Sequence, residues 1–331
     1  MQNAATPNGM STDAPTQSRW TTEAIEARIV RYADLKPCYN AFIDTRSPGS
    51  EAKENFTIIG PGVSENPDQH VHIAEAHGFN IGGARQPPGC VNSQHSHDTA
   101  ESFVAHTGTW RFDLGEHGDD AQVVLHPGDV ISIPTKTFRG FTNISEGSEP
   151  GFLFGLLGQD DPGKVTWAPK VFDMAKDFGL VLLENGSLID TAKGQTVPEG
   201  KRPMPPTSAE HVATLTRYTQ ADADALVWHA DDRPTENGRA GEASPGDGGE
   251  RIIGPGAQLG WDHGYTLERY RLAGDADFDP RGAVLFVQDG KATLRAGDAA
   301  VTLGKGDTMT VPADLDATVS GQATVFAVRR A

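Results

Sequence analysis

A short block of the chain occurs twice. Ile58-Ile59-Gly60-Pro61-Gly62 returns as Ile252-Ile253-Gly254-Pro255-Gly256, and His77-Gly78-Phe79 is echoed by His263-Gly264-Tyr265. The order of landmarks that follows is also shared. Phe103-Val104 precedes a glycine turn, a strand pattern, Gly128-Asp129 and Pro134; Phe286-Val287 precedes Asp289-Gly290, a strand pattern, Gly306-Asp307 and Pro312. A chain built from two related halves must fold each of them into a similar unit. Short apolar runs punctuated by Gly, Asp and Pro make that unit antiparallel β structure. The 38 glycines and 22 prolines suit turns between short strands better than long helices.

The first half carries the chemistry. His95 and His97 are two residues apart, and Glu101 follows four later. Side chains on a strand alternate faces, so positions i, i+2 and i+6 point the same way if one strand runs through them. Two imidazoles and a carboxylate form a recurrent ligand set for a catalytic divalent metal with open positions. Gly89 and Gly108 flank the set, giving the pattern G-x5-H-x-H-x3-E-x6-G. A second block follows, with Gly128, Pro134 and Asn143 in the spacing G-x5-P-x-G-x2-H-x3-N, except that Lys136 replaces its second glycine and Arg139 its histidine.

These paired blocks, residues 89–143, resemble the two motifs of the cupin superfamily. With the repeat, the resemblance implies an all-β bicupin: two tandem jelly-roll barrels, each of two packed sheets, with a few flanking helices. The expected division is a disordered tail at 1–18, a metal-bearing barrel at 19–160, a helical and proline-rich connection at 161–225, and a degenerate barrel at 226–331. Within the connection, Pro169 to Phe178 followed by Gly179 predicts an amphipathic helix, and Thr196–Pro206 an extended linker. Residues 20–34 are expected to form another helix. The second copy has no H-x-H, and Leu315 and Asp316 lie near its last ligand position, so it is expected to be structural or an oligomer interface.

The expected metal ligands are His95, His97 and Glu101. They suit Fe(II) or Mn(II), with Ni(II) or Zn(II) as alternatives. Arg139 cannot donate a lone pair to a metal. Three placements are open: it clamps a substrate anion beside the metal, it pairs with Glu101 or Asp98 and replaces the metal, or it lies outside the barrel. Phe103, Phe112 and Phe141 are expected to line the pocket. His70, His72, His77, His106 and His126 are read as surface or loop histidines, with His77 the first to test as a replacement ligand, and Gln94 is expected to point outward.

The net charge of −17 excludes a nucleic-acid partner, which needs a basic surface. No apolar run is long enough for a membrane helix, and the polar N-terminus lacks the core of a secretory signal. The two cysteines, Cys38 and Cys90, give no disulfide framework, so a cytoplasmic protein is expected. By resemblance the chain is expected to be a homodimer acting on a small, anionic substrate. The ligand set and the resemblance point to a non-haem Fe(II) or Mn(II) dioxygenase of a small aromatic or diketone or carboxylate compound. A metal-dependent isomerase or lyase and a non-catalytic binding cupin are the alternatives.

Overall fold

The computed structural model describes residues 20–230, 249–260, 263–276 and 278–331. The stretch expected to be a disordered tail, 1–18, lies outside the described residues.

The first half is a jelly roll of two sheets. One is five-stranded, in the order Val165–Trp167, Val91–His97, Arg139–Asn143, Trp110–Leu114, Ala121–Leu125. The other is seven-stranded and includes, side by side, Glu101–Thr107, Gly151–Gly158, Phe79–Gln86 and Glu54–Ile59. Period-two alternation is visible at the outer strand Ala121–Leu125, where Ala121, Val123 and Leu125 are buried and Gln122 and Val124 are exposed. The inward residues of both sheets meet in a core that includes Phe103, Trp110, Phe112, Ile131 and Phe141.

The second half departs from the expectation of two packed sheets. Three long strands, Tyr265–Ala276, Val284–Ala296 and Thr318–Arg330, join four shorter ones in a single seven-stranded sheet. It curls around an interior that includes Leu285, Val287, Leu294 and Val301. A bulge between Val287 and Asp289 bends the strand there, which lets one sheet wrap where two were expected.

The halves are joined by the outer faces of their sheets. Phe56, Ile58, Phe79, Ile81, Phe152 and Phe154 of the first pack in one cluster with Ile252, Leu267, Val284, Phe286 and Val328 of the second. The repeated isoleucine pairs, Ile58-Ile59 and Ile252-Ile253, all lie in this shared core. Strands also cross the expected boundaries. Ile29–Val30 pairs with Met309 and Thr308, and Val227–Trp228 pairs with Ile131 and Val130.

The helix expected over 20–34 is reduced to Thr22–Glu26, capped by the Thr21 hydroxyl, and a separate 3-10 turn at Tyr32–Asp34. Between them Ile29 and Val30 are drawn into the second sheet, where ladder hydrogen bonds and burial of Val30 outweigh local helix preference. The connection helix forms at Pro169–Asp177 and ends at Gly179, which takes a left-handed φ of 78°. It buries Val171 and Ala175 against Phe138, Trp167 and Leu182. Thr196–Pro206 contains no helix or strand beyond one bridge from Pro203 to Leu183.

Candidate metal centre

His95, His97 and Glu101 converge, but not along one strand. The chain leaves the Val91–His97 strand, turns at 98–100 and enters the Glu101–Thr107 strand of the opposite sheet. The histidines and the glutamate therefore face each other across the barrel. One donor atom from each lies within 4.8 Å of the others, and all three residues are buried.

The donor set fits a divalent metal with open positions. His95 Nδ1 is 2.7 Å from the Ser93 carbonyl, which fixes the proton there and leaves Nε2 with a lone pair for an ion. Burial, reinforced by the Arg139 charge, holds both imidazoles well below their usual pKa, so they are neutral, the form that ligates. Glu101 Oε1 lies 3.5 Å from His97 Nε2. The opposing term is Arg139, whose charge cancels that of Glu101 and leaves the ligand set formally neutral.

Arg139 is inside the barrel, 1% exposed, and paired with Glu101. Its Nε and Nη2 both donate to Glu101 Oε2, at 3.2 and 2.5 Å, and Nη1 donates to the His95 and Thr137 carbonyls. Asp98 is not the partner; its carboxylate accepts from the Lys164 backbone. Burial raises the Glu101 carboxyl above its usual range, with the Arg139 charge and hydrogen bonds opposing it; the two-donor contact is the geometry of an ionised pair.

A cavity opens beside the donors, with about 80 Å³ available to the centres of water molecules. His95, His97, Glu101, Phe103 and Phe141 are on its wall. Two expected members are not. Phe112 lies one layer back, its ring 5.4 Å from Phe103 and 5.3 Å from Phe141, because its strand is separated from the donors by Arg139–Asn143. Arg139 stands behind Glu101, with four of its five N–H donors directed at protein oxygens. This placement leaves it poorly disposed to clamp a substrate anion.

The other histidines are elsewhere. His70 and His72 stack edge to face, and His77 is half-buried with Nδ1 against the Glu75 carbonyl. His106 faces outward from its barrel as alternation predicts, yet it is not a surface residue. It is 2% exposed, wedged against Phe286 in the shared core and bonded to Gln288. Gln94 donates to the Asp113 and Gly115 carbonyls.

Sequence reasoning missed the supports of His95. The Trp167 ring lies 5.3 Å from that of His95, and its Nε1 donates to buried Glu65. A buried Lys53–Asp44 pair holds the Ser93 backbone N–H through Asp44 Oδ2, and Ser93 in turn accepts from His95. It also missed the far wall, which includes Asn55, Thr57 and Gln69. No local pattern links these residues to the histidines, and only sheet order brings them together.

A jelly roll with His, His and Glu facing one another inside it, followed by a second curled β unit, has the fold of a bicupin. Residues 84–151 match the family model described as Cupin domain. Among solved structures, YhhW from Escherichia coli is similar with a TM-score of 0.51, at 9% identity over 92% of this chain and 97% of that one. A vicilin from Solanum melongena, described with different anionic ligands in structurally similar pockets, gives 0.50 at 12% identity over 93% and 86%. A mutant oxalate decarboxylase from Bacillus subtilis gives 0.48 at 10% over 92% and 77%. At these identities the likeness is one of fold. No curated protein sequence matches the chain. Among the described residues no helix is long and apolar enough to cross a membrane.

Proposed function

We propose that the first barrel binds one divalent transition metal, Fe(II) or Mn(II), through His95, His97 and Glu101, and is an enzyme for a small organic substrate. The observation that carries this reading is the convergence of the three donors on the wall of an aromatic-lined cavity. The chemistry such an ion supplies is activation of a chelating substrate toward dioxygen, so the reaction class is a dioxygenase of an aromatic, diketone or carboxylate compound. The residues present have definite tasks. His95 and His97 stay neutral, Arg139 keeps Glu101 ionised and aimed, and Phe103 and Phe141 exclude water beside the donors. No Lys or Arg is among the lining residues, so any negative charge on the substrate must be met at the metal.

The Arg139–Glu101 pair favours a second reading, a small-molecule-binding cupin without turnover. A cation at the position of the usual fourth ligand lowers metal affinity. Metal content of anaerobically purified protein separates the two. About one equivalent of iron or manganese, lost in His97→Ala, supports the enzyme and directs oxygen-uptake assays to diketones and aromatic carboxylates. No metal in either protein leaves the binding cupin.

A further inference from the structure

The cavity floor is built from small residues in register. Thr57 pairs with Gly82, Gly82 with Gly155, and Gly155 with Phe103. In the next inward row Asn55 pairs with Ala84. Gly82, Ala84 and Gly155 all line the cavity between Glu101's strand and Asn55's strand, with the Phe103 ring lying over Gly155. Those strands are three spacings apart, about 14 Å. A trough therefore runs from the donors to a second polar wall.

That wall has unspent hydrogen-bonding capacity. Asn55 is 6% exposed, lines the cavity, and its Nδ2 meets no hydrogen-bond partner among the described residues. Gln69 donates from Nε2 to Thr57 Oγ1 at 2.5 Å, and its buried Oε1 meets none. Turning the Gln69 amide over exchanges the free acceptor for a free donor and leaves the wall polar. Leaving such groups buried and unpaired is unfavourable, and among the described residues the cavity is the one space that both line. The neighbouring amide Asn80 is different. Its oxygen accepts from Gly62 N and its nitrogen donates to the Gln159 carbonyl.

The geometry points to Asn55 and Gln69 as a distal specificity site for the hydroxyl of an elongated ligand whose other end chelates the metal. A hydroxyl can accept from Asn55 Nδ2 and donate to Gln69 Oε1, which uses both groups at once. Neither residue carries charge, so the distal end of the ligand is neutral. This rests on the metal-centre reading and adds the substrate class: a hydroxylated chelator rather than a compact dianion.

The test uses the full chain loaded with Zn(II) and a hydroxamate series. Acetohydroxamate reaches only the metal. Butano- to octanohydroxamates, each with and without a terminal hydroxyl, probe the trough by calorimetric titration. At the matching length the terminal hydroxyl tightens binding about tenfold. Asn55→Ala erases that gain, Gln69→Ala reduces it, and both leave acetohydroxamate affinity unchanged. Asn55→Ala also keeps or raises the melting temperature, because an amide nitrogen with no protein partner is removed; a structural role would lower it. No gain at any length, or a gain that survives both substitutions, overturns the proposal while the metal reading stands. Failure of acetohydroxamate to bind the wild type sinks the metal reading and this proposal with it.

Discussion

Arg139 grips one oxygen of Glu101, Oε2, with two nitrogens, while the other oxygen, Oε1, is turned 3.5 Å from His97 Nε2. One carboxylate thus serves as an ion-pair partner and as a candidate metal ligand. The division explains how a cation can occupy the position of a fourth ligand without closing the site.

The pair is buried, so removing one partner leaves the other charged and alone. Arg139→Met is expected to cost about 3–5 kcal/mol of stability in the metal-free protein. The same change removes a repelling charge, so Zn(II) should bind more tightly and return part of the loss. Urea unfolding with chelator and with excess Zn(II) reads both effects. Equal metal-induced stabilisation of wild type and Arg139→Met would show that Arg139 does not oppose the ion.

His106 makes the junction between the halves sensitive to acid. Burial lowers its pKa from 6.5 to about 4, with the Gln288 contact opposing. Between those values the unfolded chain binds more protons than the folded one, so stability is full above pH 6.5 and falls as pH drops toward 4. The loss at the lower end is at most about 3 kcal/mol. His106→Asn should flatten this part of the stability profile measured by urea titration. A wild-type-minus-variant difference independent of pH would refute the assignment.

The shared core predicts that the halves unfold together. Phe154 and Phe286 stack across the junction with centroids 4.1 Å apart, and both are fully buried. Phe286→Ala, a change in the barrel without the donors, is expected to cost about 3–5 kcal/mol. It should shift the transition of first-half tryptophans Trp110 and Trp167 by as much as the global one seen by circular dichroism. An unmoved tryptophan transition would mean that the barrels are energetically separate. The exchanged strands, Ile29–Val30 and Val227–Trp228, argue for a single transition.

Lys136 shows how a motif can keep its geometry after losing its residue. It stands where the cupin pattern has glycine and still takes a left-handed φ of 61°. The turn imposes the conformation, and a non-glycine residue bears the strain, on the order of 1 kcal/mol. The motif was therefore readable through its departures. The spacing Gly128, Pro134, Arg139, Asn143 put Arg139 at the usual ligand position, although spacing alone left open whether it clamps a substrate, pairs with Glu101 or Asp98, or lies outside the barrel.

What the sequence determined by itself is local or repeated. Turn residues at regular intervals specify short strands, the repeat specifies two units, and the spacing of His95, His97 and Glu101 identifies the candidate donors. Pro169 and Gly179 bound a helix because caps act over a single turn. Tertiary structure alone decided the rest. It put the histidines and Glu101 on opposite sheets, set Arg139 behind Glu101 and Phe112 behind the wall, buried outward-facing His106, and pulled Ile29–Val30 out of a helix. It also brought Asn55 and Gln69 to the donors' cavity across strands whose order no local pattern encodes. The physical reason is that side-chain alternation states which residues share a face of one strand, whereas the opposing surface is chosen by packing the whole chain.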